Sequence, residues 1–137
     1  MKIIESIRVN SPPNNIFDLY QDITSWVDWD PEVSFVSIPN GLTIGAKGIL
    51  KPKKGPKTPI EITEVTQGKS FTVSSKLPFC QMRFKHELIK DNEETLVVHS
   101  VIFSGPFSFL FKYLIGTSIQ KSLPSTLCSL KNFIEGQ

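Results

Sequence analysis

Two histidines, His86 and His99, are the residues of this 137-residue chain whose type and placement could do chemistry. His86 lies in the segment CQMRFKHELI, where apolar side chains alternate with polar ones. Alternation with a period of two is typical of a strand, with successive side chains on opposite faces. Met82, Phe84 and Leu88 share the face of His86, and this apolar face predicts that His86 points inward.

The position of His99 depends on the turn that joins its strand to the strand of His86. A two-residue turn at Asn92-Glu93 would place His86 directly opposite His99, and Phe84 opposite Val101. Direct cross-strand partners share a face, with Cβ atoms about 4.5–5.5 Å apart. A loop of odd length would instead turn His99 outward. The two-residue turn therefore predicts a pair of histidines facing each other inside the protein.

Three kinds of chemistry fit such a pair. The histidines could be buried packing residues with hydrogen-bond partners, polar anchors for an otherwise apolar ligand, or acid–base catalysts. A metal would need a third ligand, and Cys80 lies six residues from His86, about 20 Å along a strand. We therefore expect no metal and no cofactor, and we assign no catalytic residue beyond His86 and His99 as candidates.

Seven predicted strands and three predicted helices must position these side chains. Strand 3–9 precedes two short helices, the second of which carries Trp26, and the last helix spans 107–133 with an apolar stripe. Pro124 is expected to kink or interrupt that helix. Between these helices the alternation and turn residues predict strands over 32–38, 46–51, 60–66, 70–77, 80–89 and 95–103.

The order of these elements resembles the START-like, or helix-grip, superfamily of polyketide cyclase/dehydrase and lipid-transport proteins, and in particular its small bacterial members. The resemblance covers nearly the whole chain and is carried by VNSPPNNIFDLYQDITSWVDWDPEV, ETLVVHSVIFSGP and LKNFIE. It implies an α+β fold in which a curved, seven-stranded antiparallel sheet surrounds a long C-terminal helix. It also implies one START-like domain over residues 1–137.

In proteins of this kind a cavity lies between the sheet and the long helix. Similar proteins have a tryptophan near Trp29 that closes the mouth of the sheet, so Trp26 and Trp29 are interpreted as packing residues or as pocket lining. On the helix, Tyr113 and Thr117 are the polar candidates for the cavity wall. The full set predicted to line the pocket is Phe84, His86, His99, Val101, Leu110, Tyr113, Leu114 and Thr117.

The lysine-rich segment KPKKGPKTP is either a solvated hairpin tip or a gate over the cavity. By resemblance, the gate would comprise Lys53, Lys54 and Gly55, with Pro78 and Phe79 on the opposing edge. The segment FSFLFKYLI at the start of the last helix is apolar nearly all round. It predicts core packing, a dimer contact or a transient contact with a membrane.

Composition excludes some classes of protein. The chain is 39% hydrophobic and 20% charged with a net charge of +2, so nucleic-acid binding is not expected. The segment MKIIESIRVN has no apolar run typical of a secretion signal, and the two cysteines stand alone, so we expect a cytoplasmic protein. The sequence does not predict an oligomeric state.

Three functions are consistent with these observations. The first is binding or transport of a small hydrophobic ligand, such as a lipid, an isoprenoid or a polyketide-like ring. The second is a cyclase or dehydratase that uses His86 or His99 as its acid or base. The third is a protein-interaction module with a vestigial cavity. A fold by itself does not choose among them.

Overall fold

A computed structural model describes residues 2–136 and contains one antiparallel sheet of seven strands. The strand order across the sheet is β1-β7-β6-β5-β4-β3-β2, so β1 and β2 are its edges. The strands are β1 (Lys2–Val9), β2 (Val33–Ser37), β3 (Lys47–Pro52), β4 (Thr58–Thr66), β5 (Ser70–Leu77), β6 (Cys80–Asp91) and β7 (Glu94–Ser104). With the C-terminal helix this sheet confirms the predicted α+β helix-grip fold.

The turn between β6 and β7 has the predicted length of two residues. Asn92 takes a φ of 58°, a left-handed conformation that asparagine tolerates better than most residues. Asp91 then pairs with Glu94, and the same register places His86 opposite His99 and Phe84 opposite Val101. The predicted cross-strand histidine pair is therefore confirmed.

Two short helical segments close one end of the sheet. Helix α1 (Pro13–Gln21) follows Pro12, whose fixed φ suits the start of a helix. A 3₁₀ turn (Ile23–Ser25) leads directly into α2 (Trp26–Trp29). These segments bury Phe17, Tyr20, Trp26 and Trp29 in the main hydrophobic core.

The C-terminal helix runs without a break from residue 108 to residue 135. It comprises α3 (Ser108–Phe111), a π-helical turn (Lys112–Gly116) and α4 (Thr117–Glu135). Pro124 lies inside α4 and does not interrupt it, contrary to one of the two outcomes expected for this residue. Burial of Leu123, Leu127 and Leu130 on either side of the proline offsets its cost, which is about 3 kcal/mol in a helix interior.

Packing divides the interior into a large and a small cluster. The large cluster lies where α1, α2 and the second half of α4 meet the sheet, and it includes Phe71 and Leu130. The small cluster contains Ile3, Val101, Phe103 and Leu123. Across residues 2–136, no helix is both long enough and apolar enough to cross a membrane.

Candidate functional site

A cavity of about 290 Å³ lies between the concave side of the sheet and the C-terminal helix. Its size is close to the lower end of the range for ligand pockets, about 300–1,000 Å³. Most of its wall is apolar, with aromatic side chains from α2, β5 and β6. The apolar lining residues are Trp26, Trp29, Val33, Leu50, Pro52, Ile60, Phe71, Val73, Met82, Phe84, Ile115, Ile119 and Leu123. The polar ones are Asp30, Glu32, Lys54, Thr58, Ser75, His86, Ser118, Ser122 and Thr126.

His86 lies on this wall between two phenylalanine rings. Its imidazole stacks on Phe71 at a centroid distance of 4.1 Å and an interplanar angle of 3°, and on Phe84 at 4.7 Å and 12°. Burial lowers the pKa of His86 to about 3, because the apolar surroundings disfavour the charged imidazolium. His86 is therefore neutral at physiological pH.

His99 lies behind His86 and does not line the cavity. Its ring meets the His86 ring edge to face, with centroids 4.5 Å apart. A hydrogen bond of 2.9 Å joins its Nε2 atom to the hydroxyl of Tyr20. Burial, reinforced by the proximity of His86, lowers the pKa of His99 well below its usual value. Burial likewise raises the pKa of Tyr20, with a smaller contribution from the negative charge of Asp30.

The two tryptophans combine both roles considered for them. Each is almost completely buried, and each contributes to the cavity wall. The indole N–H of Trp26 donates to the backbone oxygen of Tyr20 at 2.8 Å, which fixes the orientation of the ring. Trp29 packs against Tyr20 with ring centroids 5.7 Å apart. Their packing thus shapes one end of the cavity.

Asp30 is a site residue that the sequence analysis does not identify. It follows α2 directly, and its Oδ1 atom accepts hydrogen bonds from the backbone N–H of Glu32 at 3.0 Å and from the Thr126 hydroxyl at 3.4 Å. Burial raises the pKa of Asp30 to about 6, against the smaller lowering effect of these hydrogen bonds and of Lys53. The cavity therefore contains a carboxyl group that titrates near neutrality.

The helical part of the predicted pocket lies away from the cavity in this structure. Leu110, Tyr113, Leu114 and Thr117 do not line the cavity, and all four are exposed. The spacing of three and four residues correctly indicates a helix, but the face predicted from it is the wrong one. The face toward the cavity carries Ile115, Ser118, Ile119, Ser122, Leu123 and Thr126.

The sheet part of the predicted pocket is divided by depth. Phe84 and His86 line the cavity, whereas His99 and Val101 do not. Val101 is fully buried in the small core cluster, which also contains Phe103 and Leu123. Alternation along a strand shows on which face of the sheet a side chain lies, but not whether it reaches the cavity. The sequence therefore does not distinguish Phe84 and His86 from His99 and Val101.

The two sides of the predicted gate also differ. Lys54 lines the cavity mouth, and the backbone N–H of Lys53 donates to the Glu32 oxygen at 2.9 Å, with Gly55 next in the same loop. Pro78 and Phe79 do not reach the cavity. They form a tight turn between Leu77 and Cys80, which pair with each other, and the exposed Phe79 ring packs against Phe107. A two-residue turn is too short to cover the opening.

This arrangement can bind an apolar molecule and contact it with a few polar groups. No three His, Cys, Asp or Glu side chains within residues 2–136 are grouped as a metal ion would require. Both histidines are neutral near pH 7, because burial lowers the pKa of each ring. A neutral imidazole has one nitrogen that donates a hydrogen bond and one that accepts it. The carboxyl group of Asp30 on this wall has a pKa raised toward neutrality.

Comparison with known proteins finds similarity in structure alone. No family model matches the sequence, and no curated protein is similar enough in sequence to count as a relative. The structure is similar to TTHA0849 from Thermus thermophilus, with a TM-score of 0.75 and 16% identity over 99% of this chain and 98% of that one.

Two proteins described as aromatase/cyclases have the same fold. One is Zhui from Streptomyces sp. R1128, with a TM-score of 0.77 and 13% identity over 98% of this chain and 93% of that one. The other is the di-domain protein BexL of the BE-7585A biosynthetic pathway, with a TM-score of 0.78 and 12% identity over 98% of this chain and 46% of that one. At these identities the similarity establishes the fold and not the activity.

Proposed function

We propose that this protein binds a small hydrophobic ligand in the cavity between the sheet and the C-terminal helix. The observation that carries the proposal is the wall of that cavity, which is mostly apolar and aromatic and also carries polar side chains. Pockets of this composition are typical of sites for small organic molecules. A lipid fragment, an isoprenoid or a polyketide-like ring would satisfy these walls.

Filling the cavity should abolish binding. Ser122 faces the cavity from α4, whereas Ser125 lies on the exposed side of the same helix. We expect native mass spectrometry of the protein purified from its own host to show a bound apolar molecule at near one-to-one ratio. Ser122→Trp should lose this molecule, because the indole occupies its space, and the matched Ser125→Trp should retain it.

Two results would contradict the proposal. The first is a protein without bound ligand that also fails to take up any of a set of apolar fluorophores. The second is uptake that Ser122→Trp leaves unchanged while its circular dichroism remains native. If Ser122→Trp does not fold, Ser122→Leu narrows the cavity less and should still weaken binding.

A cyclase or dehydratase with His86 or His99 as acid or base is less well supported. His86, with a pKa near 3, is almost never protonated at neutral pH, and as a base it is too weak to drive proton abstraction. His99 has a lowered pKa as well, and it does not line the cavity. The fold similarity to aromatase/cyclases does not offset this argument, because such a fold hosts many activities.

Ligand delivery could use the exposed aromatic end of the molecule. We define this apolar end as Phe79, Phe107, Phe109, Leu110, Tyr113 and Leu114, all of which are exposed. Contiguous exposed apolar side chains are typical of interaction surfaces. Lys112 lies among them in the chain and would favour an anionic membrane, at about 1 kcal/mol per basic residue. Transient membrane contact through this end is therefore part of the proposal.

Removing two aromatic rings from the apolar end should weaken membrane binding. Phe109→Ser combined with Tyr113→Ser is expected to reduce co-sedimentation with phosphatidylglycerol vesicles by about tenfold or more, since each ring loses its favourable burial. The matched control is Ile44→Ser, a comparably exposed apolar residue in the β2–β3 loop. Equal vesicle binding by all three proteins, or none by the wild type, would contradict membrane contact.

A further inference from the structure

The carboxyl group of Asp30 lies on the cavity wall, yet only half of its hydrogen-bonding capacity is used. Both hydrogen bonds that it receives, from the Glu32 backbone and from the Thr126 hydroxyl, end on Oδ1. No donor within residues 2–136 bonds to Oδ2. A carboxylate has about four acceptor positions on its two oxygens, so Asp30 has room for a further donor.

Hydrogen bonds position Asp30 through both its backbone and its carboxyl group. The N–H of Asp30 donates to the Trp26 oxygen at 2.9 Å, and the Asp30 oxygen accepts from the N–H of Val33 at 3.2 Å. The Thr126 hydroxyl attaches the carboxyl to the C-terminal helix, which forms the opposite wall of the cavity. Such preorganisation lowers the entropic cost of using Asp30 as a binding group.

The charges around Asp30 indicate which ligands it could accept. Lys53 is close enough to lower the pKa of Asp30, and Lys54 lines the cavity, as does the second carboxylate, Glu32. Two carboxylates and two lysines nearly balance, so the mouth has little net attraction for either a cation or an anion. A ligand carboxylate would also face Asp30 with like charge, which is unfavourable. A neutral molecule that donates a hydrogen bond fits best.

We propose that Asp30 is the polar anchor of the cavity and that the ligand is a neutral apolar molecule ending in a phenolic or alcoholic hydroxyl. The hydroxyl donates to the carboxylate of Asp30, while the apolar body contacts Trp29, Phe71 and Phe84. This inference rests on the proposed function and deepens it, because it transfers the anchoring role from the histidines to a carboxylate. Binding at pH 7.5, where Asp30 is ionised, gives the strongest such hydrogen bond.

A pair of probes that differ only in the donor tests the proposal. At pH 7.5 we expect 2-naphthol to bind the wild type about tenfold or more tightly than 2-methoxynaphthalene, since a hydrogen bond to a charged acceptor is worth at least that factor. Asp30→Leu should remove this preference by weakening 2-naphthol alone. Asp30→Asn, which keeps an acceptor but no charge, should retain part of it. Asp28→Leu, an exposed position on α2, is the matched control and should behave like the wild type.

The outcomes separate this inference from the proposed function. If both probes bind with equal affinity, or if Asp30→Leu weakens both equally, the cavity binds ligands but Asp30 is not their anchor. If 2-naphthoate binds more tightly than 2-naphthol, the assignment of a hydroxyl ligand is overturned. If no naphthalene probe binds and Ser122→Trp changes nothing, the proposed function fails and this inference fails with it.

Discussion

Replacing Asp30 by asparagine is expected to double the steepness with which acid destabilises the protein between about pH 4.8 and 5.6. The expectation follows from three groups whose pKa values are shifted in the folded state, namely the buried His86 and His99 and the half-buried Asp30. His86 has a pKa lowered to about 3 and His99 one lowered well below its usual value, whereas the pKa of Asp30 is raised to about 6. In each case burial is the main cause.

The direction of the effect follows from the protons that each state holds. In this pH window the unfolded chain protonates both histidines, while the folded protein keeps them neutral, so their stabilisation is lost as the pH falls below about 6.5. Asp30 acts in the opposite sense, because the folded state holds a proton that the unfolded state releases above about pH 3.9. Unfolding therefore takes up about one net proton in the wild type and about two in Asp30→Asn.

Urea unfolding at several pH values measures this difference. The free energy of unfolding should fall by about 1.4 kcal/mol per pH unit in the wild type and by about 2.7 kcal/mol per pH unit in Asp30→Asn. Asp30→Asn should also be more stable than the wild type by about 2 kcal/mol at pH 7.5, where ionising the half-buried carboxyl group is costly. Glu64 and Glu135 have pKa values lowered by their hydrogen bonds, so they titrate below this window.

The exposed Asp28 provides the control for this experiment. Asp28→Asn removes a carboxylate from α2, the short helix that Asp30 directly follows, and should leave the slope unchanged. If the free energy of unfolding has the same pH dependence in the wild type and in Asp30→Asn, the pKa of Asp30 is not raised in the folded protein, which would contradict this prediction.

Truncating Phe71 to alanine is expected to destabilise the protein by about 3–5 kcal/mol, the usual cost of deleting a buried aromatic ring. Phe71 is fully buried, and its ring contacts three other aromatic rings, two of which also line the cavity. It stacks on His86, meets Tyr20 edge to face at 5.1 Å and packs on Trp26 at 5.7 Å. Chemical unfolding at pH 7.5 gives the size of the loss.

A second phenylalanine, outside the aromatic cluster, provides the control for Phe71→Ala. Phe35 on β2 is 44% exposed, so Phe35→Ala should cost about 1 kcal/mol or less. If the two substitutions cost the same, Phe71 is not the centre of the aromatic cluster. Because the cavity would expand into the lost volume, Phe71→Ala should also bind larger apolar probes than the wild type.

The sheet side of the site could be predicted because local rules determine it. Alternation in CQMRFKHELI sets the inward face of β6, and the two-residue turn at Asn92-Glu93 then determines the register of β7. One assumption about a turn is enough to place His86 opposite His99. Register arguments of this kind succeed whenever the hairpin is tight and one face is buried.

The helix side could not be predicted in the same way. The C-terminal helix is apolar on more than one face near its start, so periodicity alone does not favour Ile115 and Ser118 over Tyr113 and Thr117. Which face packs on the sheet depends on tertiary contacts with distant strands. The π-helical turn at Lys112–Gly116 shifts the faces further, and nothing in its residues indicates it.

Asp30 escapes prediction for a different reason. Its place on the cavity wall depends on tertiary structure, because the Thr126 hydroxyl that contacts its carboxyl group lies far along the chain from DITSWVDWDP. A short helix carrying two tryptophans before a carboxylate is the available signal. Interpreted for its tryptophans alone, that segment predicts packing or pocket lining and assigns no role to the carboxylate.

The placement of the tryptophans makes the intrinsic fluorescence of the protein specific to the cavity. The chain has two tryptophans, and both line the cavity at the end that Asp30 occupies. Their intrinsic emission therefore reports on one place in the molecule, without interference from indoles elsewhere. They are also in unequal surroundings, because the N–H of Trp26 is hydrogen-bonded whereas the buried N–H of Trp29 has no partner within residues 2–136. Occupancy of the cavity can thus be followed by fluorescence in the unmodified protein, with no label attached.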